Sequence, residues 1–233
     1  IALKGAYEKE IAALKVAIRE QNSDVEIFEL GYFYPAGDEQ TLIQQVTGRC
    51  VPERGLPSDV GCVVDNVGTV LNIADALEGK AVTEKYLSVV GEVEHPIQLR
   101  VPIGTPVLEC VKAAHPTVSD FALIMGGPMM GMAAFDLNTP VAKTTGGIVL
   151  LPPEKKAARG NCIRCARCVD ACPMGLMPTR IARYSDKGMF EEAKAAHALD
   201  CIECGCCAYV CPAHLPLTQS IRAAKRELAR RKG

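Results

Sequence analysis

The chain has 233 residues, 48% of them hydrophobic, which is enough for one or two domains with buried cores. Its net charge of −1 provides no basic surface for nucleic acid, so we expect no nucleic-acid partner. It contains twelve cysteines and opens without a signal-peptide pattern, so we expect metal ligands in a reducing compartment rather than disulfides.

Helical and strand-like patterns alternate in the first part of the chain. Apolar residues three and four apart predict helices, and alternating apolar residues predict strands. This order predicts an α/β domain over residues 1–83. Such a domain rarely opens on a helix, so we expect its first strands to lie upstream of Ile1. The predicted elements are a helix over Tyr7–Glu20, a strand over Val25–Leu30, a helix over Glu39–Thr47, a buried strand over Val60–Val64 and a helix over Asn66–Leu77.

Short β-like runs enclose one helix in the next part of the chain, residues 84–138. This pattern predicts a small α+β module of the β-grasp type. Residues 139–158 show little periodicity and contain paired glycines and paired prolines, which predicts a linker. The predicted elements of the module are strands over Tyr86–Val90, Ile97–Val101 and Phe121–Met125, with a helix over Pro106–Ala114.

A cysteine motif occurs twice within residues 159–216. Cys162-x2-Cys165-x2-Cys168-x3-Cys172-Pro173 recurs 39 residues later as Cys201-x2-Cys204-x2-Cys207-x3-Cys211-Pro212. In two-cluster ferredoxins, three cysteines of such a run bind one [4Fe–4S] cluster and the fourth binds the other cluster. The predicted ligands are therefore Cys162, Cys165, Cys168 and Cys211 for the first cluster, and Cys201, Cys204, Cys207 and Cys172 for the second.

Zinc is the competing interpretation of these cysteines, because paired Cys-x2-Cys motifs also occur in zinc ribbons. A zinc site uses two such pairs, whereas this chain has two complete quartets, each ending in Cys-Pro. Cys206 adjoins Cys207, but the register of the repeat excludes it as a ligand. The remaining cysteines are expected to be small buried hydrophobic residues: Cys50, Cys62 and Cys110.

A basic helix is predicted over residues 217–233. Ile221, Ala224 and Leu228 form a narrow apolar stripe, and basic residues crowd the other faces. One interpretation is a solvated helix whose charges suit its C-terminal dipole. The other is a surface that contacts anionic lipid headgroups or an acidic partner.

Three stretches together resemble RnfC, a subunit of the Rnf electron transport complex: Gly126–Gly131, Cys162–Cys165 and Cys201–Pro212. The resemblance implies a multidomain fold of mixed α/β and α+β type. Its parts would be a partial flavin/nucleotide-binding α/β domain, a β-grasp (SLBB-like) domain and a bacterial-type two-[4Fe–4S] ferredoxin domain. It also favours packing of the Gly126–Gly131 loop, with its Met129 and Met130, against the flavin or cluster domain.

The same resemblance implies an electron-transfer subunit of a membrane-bound NADH:ferredoxin oxidoreductase that pumps Na⁺ or H⁺. Its cofactors would be two [4Fe–4S] clusters, with FMN and NADH in the full-length subunit. Its partners would be other Rnf complex subunits, namely the membrane subunit RnfD and the ferredoxin-like subunit RnfB, and, indirectly, ferredoxin. It would lie peripherally on the cytoplasmic face of the prokaryotic plasma (inner) membrane.

The flavin residues implied by the resemblance are few, and the glycine-rich loop that cradles nucleotide phosphates in this family has no counterpart here. We therefore expect an N-terminally truncated subunit that does not oxidise NADH by itself. The alternative role of the flavin set is capping of helix starts. The implied residues are Gly37, Asp38, Glu39, Asn66 and Thr69.

Two other functions fit the same motifs. A free ferredoxin-like carrier would need only the cysteine-rich segment, so the long remainder of the chain disfavours it. A cobalamin reductase of a diol-degrading microcompartment shares the flavin, β-grasp and cluster layout, and is the runner-up.

Overall fold

The computed structural model describes residues 1–153 and 157–231. Its contacts divide the chain into two units, Ile1–Val64 and Asp65–Gly233, and each is described by itself. This division precedes the predicted domain boundary at residue 83, because the third predicted helix lies in the second unit.

The first unit opens on a strand. Strands β1 (Ala2–Lys4) and β2 (Phe28–Leu30) pair in parallel, and helix α1 (Glu8–Glu20) connects them. The prediction of α1 is confirmed, but the expectation that a helix is the first element is wrong. Strand β2 is also shorter than the predicted Val25–Leu30. A strand of three residues is too short to produce a recognisable alternation.

Helix α2 (Glu39–Thr47) has the predicted bounds, and it ends at Gly48, whose φ of +72° is the left-handed conformation that favours glycine. The strand predicted over Val60–Val64 is wrong. Pro57–Val60 forms a 3₁₀ helix instead, and Val63 is 84% exposed. A β-branched run becomes a strand only where another strand pairs with it, and no described residue does so here.

The second unit begins with helix α3 (Val67–Leu77), which has no buried residue, and continues into a mixed sheet. The strand order is β4-β3-β7-β5-β6; β3 and β7 are parallel and the other neighbours antiparallel. Its elements are β3 (Glu84–Gly91), β4 (Ile97–Pro102), α4 (Val107–Ala113), β5 (Ala122–Met125), β6 (Met132–Ala134) and β7 (Gly147–Leu151).

Helix α4 covers this sheet and buries Val107, Cys110 and Val111 against it. The linker predicted over residues 139–158 is therefore wrong in its middle, because β7 is the central strand and Ile148 and Leu150 are fully buried. A strand buried on both faces has no alternation, so its sequence does not distinguish it from irregular structure. Residues 154–156 of the predicted linker lie outside the described residues.

The cysteine-rich segment is a structural repeat as well as a sequence repeat. Helices α5 and α8 begin 39 residues apart, as do α6 and α9. One buried cluster joins the two halves and contains Cys168, Cys207, Ala182 and Leu217. The helices are α5 (Arg167–Asp170), α6 (Pro178–Asp186), α7 (Phe190–Ala195), α8 (Cys206–Tyr209) and α9 (Leu217–Arg230).

Helix α9 packs mainly against α6, and its predicted apolar stripe is confirmed: Ile221, Ala224 and Leu228 are buried. The last two residues of the predicted helix, 232 and 233, lie outside the described residues. No helix in the described part of the chain is long and apolar enough to cross a bilayer.

Candidate iron–sulfur centre

The two cysteine loops share one backbone conformation. Arg164 and Ala166 have φ of +58° and +63°, and their counterparts Glu203 and Gly205 have +57° and +84°. Left-handed residues turn neighbouring N–H groups toward the inside of a loop, where they form a concave site for anions. The amide N–H of Glu203 points this way and donates to Cys201 Sγ at 3.4 Å. Each non-glycine residue in this conformation costs about 1 kcal/mol, which the rest of the loop must offset.

The first cavity, of about 710 Å³, lies against the first loop. The described structure places all four cysteines of the first predicted set on its wall: Cys162, Cys165, Cys168 and Cys211. Three come from the first repeat and one from the second, as the crossed ligand pattern requires. Among the described residues, the wall carries no carboxylate or imidazole, so its donor set is that of an iron–sulfur cluster.

The second cavity holds the other predicted set, Cys172, Cys201, Cys204 and Cys207, and is also lined by Cys206. Its volume is about 20 Å³, which is room for about one water molecule. The thiol side chains must rotate outward to admit a cubane. Its donors are again all sulfur apart from Glu203 and Thr218, and Thr218 Oγ1 lies 3.6 Å from Cys207 Sγ.

Thiol acidity does not distinguish Cys206 from the predicted ligands. Burial raises the pKa of Cys201 to about 11, and burial with a hydrogen bond to Cys204 raises the pKa of Cys206 to about 12. Both thiols are protonated at neutral pH, so iron must displace a proton from any cysteine it binds here. Only the position in the repeat separates them, since Cys207 corresponds to Cys168 and both are 7% exposed.

Helix α9 holds the second loop through a charge cluster. Glu203 accepts a hydrogen bond from Arg222 Nε at 2.6 Å and pairs with Lys225 Nζ at 2.9 Å; Lys225 also donates to the Cys201 carbonyl. Burial alone would raise the pKa of Glu203, but the two cations outweigh it and hold that pKa below its usual range. The expectation of an unopposed basic face on α9 is therefore wrong for these residues. Arg230 and Arg231 likewise contact Glu227.

A Glu203→Gln substitution is expected to lower the free energy of unfolding by roughly 1 kcal/mol, because two partly exposed cations lose their counter-charge. The second cluster should then be released faster to an iron chelator. The matched control is Glu227→Gln, whose ion pairs join residues of α9 to one another and to no cysteine loop. Equal rates of iron release from the two variants would contradict this role.

The glycine-rich loop at residues 126–131 lies against the second cysteine loop. A side chain on Gly205 would place its Cβ 3.2 Å from the Met129 carbonyl oxygen and 3.5 Å from Met129 Cε. The expected packing of this loop on a neighbouring domain is confirmed for the cluster segment. Gly131 allows the loop to close, since a Cβ there would meet the Gly127 oxygen at 2.5 Å.

The first loop is open by comparison. Ile163 is 68% exposed, and Cys162 and Cys165 are also exposed. Sequence reasoning missed the basic side chains that line its cavity; the arginines inside Cys-Ile-Arg-Cys-Ala-Arg-Cys were the available signal. These residues are Arg164, Arg167, Arg180, Arg183 and Lys187.

The predicted flavin residues are divided between the two units, and two of them cap helices. Asp38 Oδ1 accepts from the N–H groups of Gln40 and Thr41, which begins α2. Asn66 Oδ1 accepts from the N–H of Gly68, which begins α3. The other three, Gly37, Glu39 and Thr69, are exposed.

Among the three cysteines expected to be buried, only Cys110 is fully so. Cys62 is partly buried, and Cys50 is exposed, so that expectation is wrong for Cys50. Cys110 lies on the apolar face of α4, whereas Cys50 lies outside any helix or strand.

Comparison with known families divides the chain in the same way as its motifs. The Nuo51 FMN-binding domain family matches residues 1–75, and the 4Fe-4S dicluster domain family matches residues 161–215. An NAD⁺-reducing [NiFe]-hydrogenase in the H₂-reduced state has a similar fold, with a TM-score of 0.57 and 19% identity. The similarity covers 98% of this chain and 46% of that one.

Two curated relatives are similar in sequence. The RnfC-type subunit of the Na⁺-translocating ferredoxin:NAD⁺ oxidoreductase complex of Acetobacterium woodii is 40% identical over 238 residues, covering 98% of this chain and 54% of the relative. The cobalamin reductase PduS of Citrobacter freundii is 42% identical over 193 residues, covering 76% of this chain and 42% of the relative. The chain thus spans about half the length of the curated relatives it matches. It is a homologue of RnfC, a subunit of the ion-translocating ferredoxin:NAD⁺ oxidoreductase, or Rnf, complex.

Proposed function

We propose that this chain is the electron-relay part of the RnfC subunit of an ion-translocating ferredoxin:NAD⁺ oxidoreductase. The observation that carries the proposal is the crossed arrangement of two four-thiol sets, each with three cysteines from one repeat and one from the other. A bound [4Fe–4S] cluster takes up or gives up one electron at a time. Two such clusters on interlocked loops would form a short relay.

The protein's own residues would bind and insulate these clusters. Three cysteines of each loop and the fourth cysteine of the other repeat would ligate the iron. The loop amides would donate to cluster and thiolate sulfur, as the Glu203 N–H already does to Cys201, and such hydrogen bonds raise the reduction potential. Met129 would limit the access of water to the second cluster.

The rest of the chain supports the wider assignment. The match of residues 1–75 to an FMN-binding family supports a flavin near the relay, with NADH bound in the full-length subunit. The mixed sheet covered by α4 supports a β-grasp (SLBB-like) domain, now extended to include β7. The membrane subunit RnfD and the ferredoxin-like subunit RnfB are the proposed partners, on the cytoplasmic face of the membrane. The pumped ion would be Na⁺ or H⁺.

A cobalamin reductase is the second candidate, supported by the similarity to PduS. That similarity spans less of the chain than the similarity to the Acetobacterium woodii protein. Genes for membrane subunits beside this gene would favour the electron transport complex, whereas genes for microcompartment shell proteins would favour the reductase.

Anaerobic reconstitution with iron and sulfide tests the relay directly. We expect about eight iron and eight sulfide per chain, and an EPR spectrum on reduction with two interacting [4Fe–4S]⁺ centres. Flavin should be measured in the same sample. Zinc in place of iron after anaerobic purification, or a single cluster per chain, would contradict the proposal.

A further inference from the structure

The mouth of the first cavity carries a concentration of unpaired positive charge. The five basic residues that line it are exposed, and no acidic residue of the described chain lines it. Within the described ranges, none of the five has a carboxylate oxygen within 4.0 Å. Arg180 contacts only Tyr184, through its Nε and its guanidinium face. We call this surface the basic face: Arg164, Arg167, Arg180, Arg183 and Lys187.

The repeat shows that this charge is a departure from the internal balance of the second half. Arg183 corresponds to Arg222, and Arg164 corresponds to Glu203, because each pair is 39 residues apart. In the second half, Arg222 and Glu203 neutralise each other at 2.6 Å. In the first half the same two positions are both positive and line one cavity. Like charges repel, so this arrangement favours an anionic group from outside the pair.

The thiolate-bound cluster is itself anionic and offsets part of this charge, but it lies within the cavity. The basic side chains reach solvent around its mouth, and apolar side chains lie among them: Ile163, Met177 and Met189 are all exposed. An apolar centre with a charged rim is typical of protein interfaces, and small interfaces of this kind serve transient electron transfer. Complementary charge there mainly raises the association rate.

We propose that the basic face docks a small acidic electron-transfer protein, which exchanges one electron with the first cluster. No bond forms or breaks in that step: one partner's cofactor is oxidised by one electron and the other is reduced by one. The proposal rests on the proposed function, since the first cavity must hold a cluster. The concave mouth over four cysteines favours a protein that brings a redox centre close, rather than a flat layer of lipid headgroups.

The test uses the full chain with both clusters reconstituted and a two-cluster bacterial ferredoxin of strongly negative net charge as the probe. The variant Arg183→Glu/Lys187→Glu changes the basic face outside the cysteine loop. The control Lys143→Glu/Arg226→Glu makes the same change in net charge at exposed residues away from the first cavity. Stopped-flow mixing at low and high salt measures the second-order rate constant for electron transfer from the reduced ferredoxin.

We expect the basic-face variant to lose about tenfold or more of the low-salt rate constant and most of its salt dependence, while the control stays close to the native protein. At high salt all three rate constants should converge, which separates docking from a changed cluster potential. Equal losses in variant and control, or an unchanged rate in the variant, would overturn the proposal.

Two further measurements keep the outcome interpretable. Iron content and EPR of each variant report cluster binding, so a failure to form clusters counts against the proposed function and a failure to dock counts against the basic face. Sedimentation with phosphatidylglycerol and phosphatidylcholine vesicles tests a membrane instead. Binding to the anionic vesicles that the basic-face variant loses, with its electron-transfer rate intact, would assign this surface to lipid. If Arg183→Glu/Lys187→Glu fails to fold, Arg180→Gln/Lys187→Gln takes its place.

Discussion

Replacing Cys207 with serine is expected to remove one of two clusters, so that the iron content falls from about eight to about four per chain. Cys207 occupies the position of Cys168 in the repeat, and both thiols lie in the buried cluster between α6 and α9. A serine hydroxyl is a poor ligand for iron, and the neighbouring thiols would lose their fixed partner. Iron analysis and EPR of the anaerobically reconstituted variant measure the loss.

The adjacent cysteine provides the control for this substitution. Cys206 lines the second cavity as well, so proximity alone does not exclude it as a ligand. The repeat has an arginine, Arg167, at the matching position of the first loop, which is why we expect Cys206→Ser to keep both clusters. Loss of a cluster in Cys206→Ser together with retention in Cys207→Ser would show that the ligand assignment is wrong.

Gly91→Ala is expected to destabilise the second unit by roughly 3 kcal/mol or more, because overpacking adds to the loss of a backbone hydrogen bond. Gly91 ends β3 with φ of +101°, and a Cβ there would lie 1.9 Å from the Leu150 carbonyl oxygen. That oxygen accepts the N–H of Glu92 at 2.9 Å and belongs to the buried central strand. Backbone atoms of a central strand cannot move aside without breaking the sheet.

Gly104→Ala isolates the conformational part of this cost. Gly104 has a similar φ of +98°, but a Cβ there would meet no atom within 4 Å. Its substitution should cost about 1 kcal/mol, from the left-handed backbone alone. Thermal unfolding of the two variants, followed by circular dichroism, should give a clearly larger drop in midpoint for Gly91→Ala. Equal drops would mean that the close approach to Leu150 carries no weight.

Sequence patterns predicted the elements whose information is local. The bounds of α1 and α2, and the core of α3, β3, β4 and α4, follow from periodicity over a few turns. The caps at Asp38 and Asn66 follow from residue type next to a helix start. The Val60–Val64 and Gly147–Leu151 segments were assigned wrongly for opposite reasons, since the first has no pairing strand among the described residues and the second pairs on both sides.

The sequence by itself determined the two cysteine quartets and their crossed assignment, because a 39-residue repeat with fixed spacing leaves little choice of register. Only the tertiary structure decided which basic residues are free. Arg222 and Lys225 reach Glu203 across about twenty residues of chain, a contact that no local pattern contains. The equivalent Arg183 shares the cavity wall with Arg164 instead of a carboxylate, so its charge stays available. Charge along a sequence adds up residue by residue, but its effect depends on which opposite charges folding brings within a few ångströms.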